Sequence, residues 1–433
     1  MTPQAPLAVL LSPRRTVVEA ARRVGARTLV LAPDLSSPAV REAVAVADSA
    51  LTVEWRDHPR LMMAIGHLAH LPVTASVFGF TETSALAAAR ANEALRLPGN
   101  PHAAVAYLTD KAALRAKADQ LTGAPVRFER CDRAAHVVST AERVGFPCVA
   151  KPRTGSGGQD VHLLRDVADA AFLAAELTPE PALIVEEFLD GPEYGVQAHS
   201  EAGVHTVLAV TRKHPPGTGA DAGGHDLPAA LGPELLARIH GLVQGTLAAA
   251  GQRSGPSHTE VVVTPGGPRL IESHAHPGDE SVAELLAATG TDVHALTVAS
   301  ALGLPGPAGG PAAAAGRWAG VRYLRLPPGL LTAVDGVEEA RALPGVTGVE
   351  ISVPVGSHVP ETTSRVAGHG RVTVVAEGPH ERDALLRKAL DTLCPIVVPE
   401  PLCGSGTLAA ADPGRRGPAS PARPVKEEEH SAA

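Results

Sequence analysis

The chain has 433 residues, which is long enough for two or three domains and a large hydrophobic core. Hydrophobic residues make up 44% and charged residues 19%, so the composition excludes a disordered or fibrous protein. The net charge of -8 and the 3% of aromatic residues disfavour a nucleic-acid partner, because a basic surface and stacking side chains are both lacking. No apolar run approaches the ~20 residues of a membrane helix, so no membrane partner is expected.

The N-terminus and the cysteines bear on the cellular location. Residues 1–6 lack the basic stretch that begins a signal peptide. The cysteines are widely spaced and form no Cys-x-x-Cys pair; they are Cys131, Cys148, Cys394 and Cys403. Such cysteines are typical of reduced, mostly structural thiols, so we expect a cytoplasmic protein.

Residues 1–105 alternate between strand and helix patterns. Apolar strand patterns lie at 7–11, 28–31, 50–53 and 73–78, and helix patterns lie at 16–24, 59–70 and 82–95. This alternation predicts a doubly wound parallel sheet with helices on both faces. The first turn, residues 12–15, is not a Gly-x-Gly-x-x-Gly loop, so a dinucleotide site is not expected there.

Residues 106–190 contain a glycine-rich turn next to a lysine. A helix pattern covers 108–121 and includes Lys111, and a strand over 126–129 and a helix over 134–144 follow. The next strand ends at Lys151, and Gly155-Ser156-Gly157-Gly158 forms the turn to another strand. Glycines allow successive N–H groups to converge on an anion, although the turn is not a Walker A loop. A flexible hairpin without a ligand is the alternative.

Residues 183–250 combine an acidic break with a long polar segment. A buried strand leads into the break at 186–193, and a further strand covers 206–211. Residues 212–226, which include Lys213 and His225, are rich in glycine and polar side chains. They are predicted to be a long loop that acts as a lid or binding loop. A helix is predicted over 233–250.

Residues 258–274 read as a β-hairpin that carries paired acids. If its turn is centred on Gly266, Glu260 lies directly opposite Glu272, because each is six residues away. Strand alternation then places the following residues on the same face: His258, Val262, Leu270 and His274. Facing carboxylates repel each other unless a cation, a shared proton or solvent relieves the repulsion. A cation site and an exposed hairpin with solvated acids both remain open.

The C-terminal part has two predicted segments. Strand patterns at 320–326, 346–353 and 371–376, with a helix within 379–394, predict a small mixed β/α module over 317–400. Residues 405–433 are rich in Gly, Pro, Ala and Arg and are predicted to be a disordered tail.

The order of these motifs resembles the ATP-grasp superfamily. Lys111, Lys151, the glycine-rich turn, the acidic break and the acid-paired hairpin follow one another as in its carboxylate–amine ligases, above all the bacterial L-amino-acid (dipeptide) ligases. The resemblance covers roughly residues 1–400 and implies an α/β protein. Its parts would be an N-terminal doubly wound parallel sheet, a two-part α+β ATP-grasp fold (106–190 and 191–310) and a small C-terminal β/α module.

The resemblance also implies roles for matching residues. ATP would be held through its phosphates, adenine and ribose by Lys111, Lys151, the flap residues Ser156, Gly157 and Gly158, the adenine-slot residues Glu186, Glu187, Phe188 and Leu189, and Glu193. Mg²⁺, or Mn²⁺ in its place, would be bound by Glu260, Glu272 and His274. The residues implied at the substrates are Lys213, His225 and His276. The implied reaction forms an acyl phosphate from a carboxylate and ATP, and an amine then displaces the phosphate.

The metal-binding segment departs from the pattern of the resembled family. That pattern is Glu-x-Asn-x-Arg-x-Gly-Gly, whereas this chain has Glu272-Ser-His274-Ala-His276-Pro-Gly278-Asp279. Imidazole suits Zn²⁺ or Mn²⁺ better than Mg²⁺, and it carries less permanent charge than arginine. Two alternatives follow, namely a zinc-dependent hydrolase that uses His258, His274 and His276, and a catalytically impaired nucleotide-binding protein. Small-molecule amino-acid and amine substrates are the expected partners, and a homodimer and a carrier-protein acceptor stay open.

Overall fold

The computed structural model describes residues 5–70, 73–122, 126–155, 157–158, 160–177, 182–215, 221–307, 316–360 and 368–399. Ser156 and the predicted tail at 405–433 lie outside these residues. No single helix in these ranges is long and apolar enough to cross a membrane. Only the pair Glu280–Ala288 and Val293–Leu302, bent by 91°, reaches the required length and composition together.

The N-terminal segment is a parallel sheet covered on both faces, as predicted. Strands β1 (Leu7–Leu11), β2 (Arg27–Ala32), β3 (Ser49–Thr52) and β4 (Ala75–Phe78) have the order β3-β2-β1-β4. The helices are α1 (Arg15–Arg23), α2 (Pro38–Val44), α3 (His58–Ile65) and α4 (Glu82–Leu95). In β1, Ala8 and Leu10 pack into one core whereas Val9 and Leu11 pack into another. Burial on both faces explains why this strand is apolar throughout.

The single helix predicted over 108–121 is wrong, because the chain forms α5 (His102–Thr109) and α6 (Lys111–Thr122). The break is at Asp110, whose backbone is extended with φ -85° and ψ 100°. Its carboxylate accepts the N–H groups of Ala112 (3.0 Å) and Ala113 (3.2 Å) and so caps the second helix. The break therefore makes Lys111 the first residue of α6.

A small antiparallel sheet carries the glycine-rich turn. Its strands are β5 (Phe128–Cys131), β6 (Cys148–Pro152), β7 (His162–Leu164) and β8 (Leu183–Glu187), in the order β5-β8-β6-β7. Helices α7 (Val137–Val144) and α8 (Val167–Glu176) belong to the same segment. Cys131 and Cys148 are buried in the core of this unit, which agrees with their prediction as packing residues.

A large sheet forms most of the rest of the fold. Its first part contains β9 (Glu193–Glu201), β10 (Val204–His214), β11 (Asp221–Leu227), α9 (Pro233–Ala250), β12 (Gly255–Thr264), β13 (Gly267–His274), α10 (Glu280–Ala288) and α11 (Val293–Leu302). The remaining elements are β14 (Trp318–Leu324), β15 (Gly329–Asp335), α12 (Val337–Arg341), β16 (Val346–Ile351), β17 (His358–Val359), β18 (Gly370–Ala376), α13 (Pro379–Thr392) and β19 (Cys394–Val398). The sheet order is β13-β12-β9-β10-β11-β14-β18-β16.

The long loop predicted over 212–226 is largely strand, so that prediction is wrong. Strand β10 continues to His214, and Lys213 pairs with His225 of β11. The polar composition of these residues does not mark them as strands. Gly224 shows why strand β11 contains glycine. A Cβ there would lie 2.0 Å from the Val321 carbonyl oxygen of the neighbouring strand. Residues 216–220 are outside the described part of the chain.

The C-terminal segment continues the large sheet. Strand β14 pairs with β11, and β18 and β16 follow at the edge, whereas β15, β17 and β19 form a separate sheet of three strands. This arrangement brings Arg322 and Tyr323 of β14 next to the segment with Lys213 and His225. The division into the predicted ranges stays a prediction, but one sheet joins residues on both sides of the boundary near residue 310.

Candidate functional site

The hairpin pairs the acids as predicted, through a register that was not predicted. Glu260 lies opposite Glu272, and His258 lies opposite His274. The turn is centred between Pro265 and Gly266 rather than on Gly266, since Thr264 pairs with Gly267. A β-bulge at Ile271 restores the register, because Val261 faces Leu270 while Glu260 faces Glu272. Leu270 therefore lies opposite Val261, and the expected placement of Leu270 on the same face as Val262 is wrong.

Arg115 fixes this bulge from helix α6. Its guanidinium donates to the Leu270 carbonyl and, at 3.2 Å, to the Ile271 carbonyl. The same group donates to Oε2 of Glu186 at 2.7 and 3.0 Å, and only 2% of the Arg115 residue is exposed. Sequence reasoning assigned no role to this arginine, although it lies one helical turn after Lys111. Arg115 thus joins the small sheet to the acid-paired hairpin.

The Glu186 carboxylate forms ion pairs with two basic side chains. Sequence reasoning instead assigned Glu186 to the adenine slot through its backbone groups. Lys151 Nζ lies 2.5 Å from Oε1 of Glu186, and Arg115 contacts the other oxygen. Burial raises the pKa of Glu186, but the charges of Arg115 and Lys151 outweigh burial and lower the pKa below its usual value. The carboxylate is therefore ionised and keeps Lys151 at the end of β6, beside the glycine-rich turn.

The segment expected to bind adenine already uses two of its N–H groups. The Glu187 N–H donates to the Arg127 carbonyl at 2.9 Å, and the Phe188 N–H donates to the Pro147 carbonyl at 3.2 Å. The Phe188 side chain is 43% exposed, and Leu189 follows it between β8 and β9. An adenine ring would therefore have to use other backbone groups of this segment.

Five residues form a closed ring of polar contacts around the glycine-rich turn. Lys111 Nζ lies 3.1 Å from Glu272 and donates to the Gly155 carbonyl. The Gly155 N–H donates to Glu82 at 3.0 Å, and the other oxygen of Glu82 lies 3.3 Å from His274 Nδ1. His274 Nε2 closes the ring at 3.2 Å from Glu272. The ring joins α4, α6, the turn and the hairpin, and sequence reasoning missed Glu82.

The charges in this ring are set by its close contacts. Burial lowers the pKa of His274, but Glu272 and Glu82 outweigh burial and raise that pKa to about 9. Burial raises the pKa of Glu272, but the close contact with His274 and the charges of His274 and Lys111 lower that pKa to about 2. At neutral pH the His274 side chain is therefore an imidazolium between two carboxylates. It must lose a proton before it can ligate a metal.

Lys213 bridges two further acids. Its Nζ lies 3.0 and 3.2 Å from the oxygens of Glu260 and 3.2 Å from Oε2 of Glu193. Burial lowers the pKa of Lys213, but the two carboxylates outweigh burial and raise it above its ordinary value. The structure thus brings the predicted ribose residue and the predicted metal ligand together around one ammonium group.

His225 lies in a buried pocket with Tyr323. Its ring meets Tyr323 edge-on at 6.3 Å, and its Nε2 lies 4.0 Å from Oδ2 of Asp279. The Tyr323 hydroxyl donates to Asp279 at 2.9 Å, and the other oxygen of Asp279 accepts the Val282 N–H at the start of α10. Burial lowers the pKa of His225 to about 4, so the imidazole is neutral at pH 7.

His276 is also buried and neutral. Its Nδ1 accepts the Gly278 N–H at 3.2 Å, and its ring centre lies 5.1 Å from that of His274. Burial and the neighbouring charge of His274 lower the pKa of His276 to about 3. His276 therefore brings no charge to the place where the resembled family has arginine.

The hairpin fits an oxygen-binding cation and fits zinc poorly. Glu260 and Glu272 offer carboxylate oxygens from two adjacent strands, which suits Mg²⁺ when phosphates and water complete its shell. A zinc site needs three or four protein ligands. Within the described ranges, no three His, Cys, Asp or Glu side chains are arranged to hold a metal ion. The zinc-hydrolase alternative therefore has no geometric support in these residues.

The glycine-rich turn has the backbone freedom that the sequence suggested. Gly155, Gly157 and Gly158 have φ values of 113°, 76° and 68°, a region that favours glycine. The implied role of Ser156 falls on a residue outside the described ranges. The contacts of Gly155 with Lys111 and Glu82 place the beginning of this turn at the acid-paired hairpin.

Comparisons with known proteins agree with this arrangement. A family model described as ATP-grasp domain matches residues 144–280, and one described as L-amino acid ligase C-terminal domain 2 matches residues 322–398. The "Uncharacterized protein y4rH" of Sinorhizobium fredii (strain NBRC 101917 / NGR234) is 28% identical over 400 residues, which cover 88% of this chain and 80% of that protein.

Solved structures share the fold along most of the chain. The L-amino acid ligase from Bacillus licheniformis has a TM-score of 0.75 at 21% identity, with 92% of this chain and 100% of that one covered. The N5-carboxyaminoimidazole ribonucleotide synthetase from Thermotoga maritima has a TM-score of 0.68 at 17% identity, with 91% and 100% covered. The chain therefore carries an ATP-grasp domain over residues 144–280 and a domain of the L-amino acid ligase C-terminal domain 2 type over residues 322–398.

Proposed function

We propose that the protein joins the carboxylate of an amino acid to an amine, with ATP and Mg²⁺, in a biosynthetic pathway for a small natural product. The carboxylate would attack the γ-phosphate of ATP to give an acyl phosphate and ADP. The amine would then displace phosphate and form the amide. The observation that carries the proposal is the acid pair Glu260 and Glu272, held among Lys111, Lys213 and His274 beside the glycine-rich turn.

Phosphoryl transfer depends mainly on positioning and on neutralised charge. Lys111 and Lys151 supply two buried ammonium groups, each with 6% of its side chain exposed. Glu272 and Glu186 hold them in place before a nucleotide arrives. Phosphate oxygens would compete with Glu272 for Lys111, and this exchange would free the carboxylate for the metal ion.

The metal ion would be held by Glu260 and Glu272. Mg²⁺ there would offset the charge that develops on the phosphates, and Mn²⁺ fits the same oxygen donors. His274 would support Glu272 as an imidazolium, and it would become a ligand only after losing a proton. The contact with Glu82 helps to keep His274 protonated. Whether His274 could ligate a second metal ion would therefore depend on this contact.

The second half-reaction passes through a negatively charged tetrahedral centre that needs donors. Lys213 is the charged donor beside Glu260, and the cross-strand neighbour His225 offers a neutral imidazole. His276 is neutral as well, so it would hold a substrate oxygen less firmly than an arginine. Lys213 and His225 are the residues that we assign to the amino-acid substrate.

The test is an ADP-release screen across pairs of amino acids and amines, with mass detection of the products. Hydroxylamine as the amine would trap an acyl phosphate as a hydroxamate. Glu272→Gln is expected to abolish ADP release, and Glu234→Gln, an exposed acid on α9, is expected to leave it unchanged. ATP binding without ADP release for any pair would instead support an impaired nucleotide-binding protein.

The acceptor amine can be identified by the mass of the product. A second amino acid, an amine of a natural product and an amine on a carrier protein would each give a product of distinct mass. A homodimer stays a prediction that sedimentation of the purified protein would test. The cytoplasmic location likewise stays a prediction.

A further inference from the structure

His258 is a buried histidine on β12 to which the reaction described above gives no role. It lies two residues before Glu260, so both side chains are on the same face of the strand. Its Nε2 is 3.6 Å from Oε1 of Glu260, and only 7% of the residue is exposed. The ring is therefore next to a proposed metal ligand but is directed at its carboxylate.

The other ring nitrogen of His258 is held by Gln197. The two residues are cross-strand partners on β12 and β9, and Gln197 Nε2 lies 2.5 Å from His258 Nδ1. A side-chain amide nitrogen can only donate, so Nδ1 accepts and the proton of a neutral ring is on Nε2. The N–H of Nε2 then faces Glu260.

Two glycines leave the space that the imidazole fills. A Cβ on Gly195 would lie 2.9 Å from His258 Cε1, and a Cβ on Gly278 would lie 3.0 Å from Cγ and Nδ1. Gly195 is also the cross-strand partner of Glu260, and Gly278 has a φ of 81°. The ring is therefore enclosed between two backbones, which fixes its plane.

The Gln197 amide is costly if its only role is to fill the core. It is fully buried, and its Oε1 has no hydrogen-bond partner among the residues that the structure describes. An unpaired buried carbonyl is unfavourable. The amide N–H that orients His258 is thus the feature that distinguishes glutamine from an apolar residue of similar size.

We propose that His258 is a positioning residue that holds the Glu260 carboxylate for the metal ion, with Gln197 fixing the ring so that Nε2–H points at Glu260. This inference rests on the proposed function, because it takes Glu260 as a metal ligand. Groups that orient metal ligands typically change metal affinity by about 10- to 100-fold when they are removed.

The experiment measures binding of Mn²⁺ to the full-length protein by electron paramagnetic resonance, with the β,γ-imido analogue of ATP present. His258→Asn keeps an amide near the Nδ1 position but has no donor near Nε2, so its Kd for Mn²⁺ should rise by about tenfold or more. His258→Gln places an amide N–H near the Nε2 position and should restore Kd to within about threefold of wild type. Thermal unfolding of each variant separates loss of binding from loss of fold.

Gln197→Met provides an independent test of the positioning role. It keeps a similar volume but removes the donor, so Kd should rise in the same direction as in His258→Asn. In a His258→Asn background, Gln197→Met should add nothing, because Gln197 acts through the ring. His205→Asn is the matched control, since His205 is a half-buried histidine on β10 that is bonded to Ser200 instead.

The outcomes separate this inference from the proposed function. Equal Kd values for wild type and His258→Asn, equal weakening in His258→Gln and His258→Asn, or additive effects of Gln197→Met would each overturn the inference. No Mn²⁺ binding by the wild type would overturn both the metal assignment and the inference. The expected pattern of Kd values without ligase turnover would support the positioning role and count only against the proposed reaction.

Discussion

Glu82 and His274 face each other with 3.3 Å between Oε2 and Nδ1, although they belong to segments that are far apart in the sequence. Glu82 is the first residue of α4, and its other oxygen accepts the Gly155 N–H. His274 ends the hairpin and contacts Glu272 through Nε2. One carboxylate of the N-terminal segment thus supports both the glycine-rich turn and the acid pair.

Removing the charge of Glu82 should weaken this link. In Glu82→Gln the neutral amide no longer balances the imidazolium of His274, and only 12% of the Glu82 side chain is exposed to solvent that could compensate. We expect a loss of roughly 1–3 kcal/mol in the free energy of unfolding, measured with urea. The loss should be smaller in a His274→Asn background, because contacting residues couple by about 0.5–3 kcal/mol. Full additivity would contradict the contact, and Glu42→Gln, at an exposed acid on α2, serves as the control.

The sequence predicted what depends on local spacing. The opposition of Glu260 and Glu272 follows from hairpin spacing, and the helix over 82–95 follows from its periodicity. The predicted opposition of these two acids is correct for a partly different reason. The turn is not centred on Gly266, and the Ile271 bulge compensates for this shift. Patterns over about ten residues therefore carried most of the secondary structure.

The sequence could not predict contacts between distant segments. Arg115 meets the Leu270 carbonyl, and Glu82 meets His274, only after the N-terminal segment, α6 and the hairpin have packed together. No local pattern marks such contacts. The loop predicted over 212–226 failed for a related reason, since its pairing with β14 lets a polar, glycine-rich sequence form a strand.

Replacing Arg115 should be strongly destabilising. Arg115→Met would leave Glu186 with Lys151 alone and would leave the Leu270 and Ile271 carbonyls without their donor. Removal of one partner from a buried ion pair typically costs about 3–5 kcal/mol. Urea unfolding should show a loss of that order.

The matched control for this change is another arginine–glutamate pair in the same segment. Arg127 Nε donates to Glu187 at 2.8 Å, but 65% of the Arg127 side chain is exposed. Arg127→Met should therefore cost about 1 kcal/mol or less. Similar losses in both variants would show that the burial of Arg115 adds nothing.

His199 should make the stability depend on acid. This histidine on β9 is 6% exposed, and burial lowers its pKa from 6.5 to about 4. The unfolded chain takes up the proton first as pH falls, so the contribution is present above pH 6.5 and is lost between pH 6.5 and 4. From pH 7 to pH 5 this amounts to about 2 kcal/mol.

The measurement compares wild type with His199→Leu in urea unfolding at pH 7 and pH 5. The variant cannot take up this proton. Between pH 7 and pH 5 its free energy of unfolding should therefore fall by about 2 kcal/mol less than that of wild type. Other buried histidines, such as His225, contribute equally to both proteins and cancel in the comparison. Equal losses of stability in wild type and His199→Leu would contradict the assignment of this pH dependence to His199.

Lys213 should affect metal binding and turnover in opposite directions. Its ammonium lies 3.0 Å from Glu260 and occupies the carboxylate that the metal ion would use. In Lys213→Met this competing cation is gone, so Mn²⁺ should bind about tenfold more tightly in the absence of nucleotide. The ADP-release rate should fall in the same variant, because the substrate loses its charged donor. Lys388→Met, at an exposed lysine on α13, should change neither quantity. Weaker Mn²⁺ binding in Lys213→Met would mean that Lys213 holds Glu260 in place rather than competing for it.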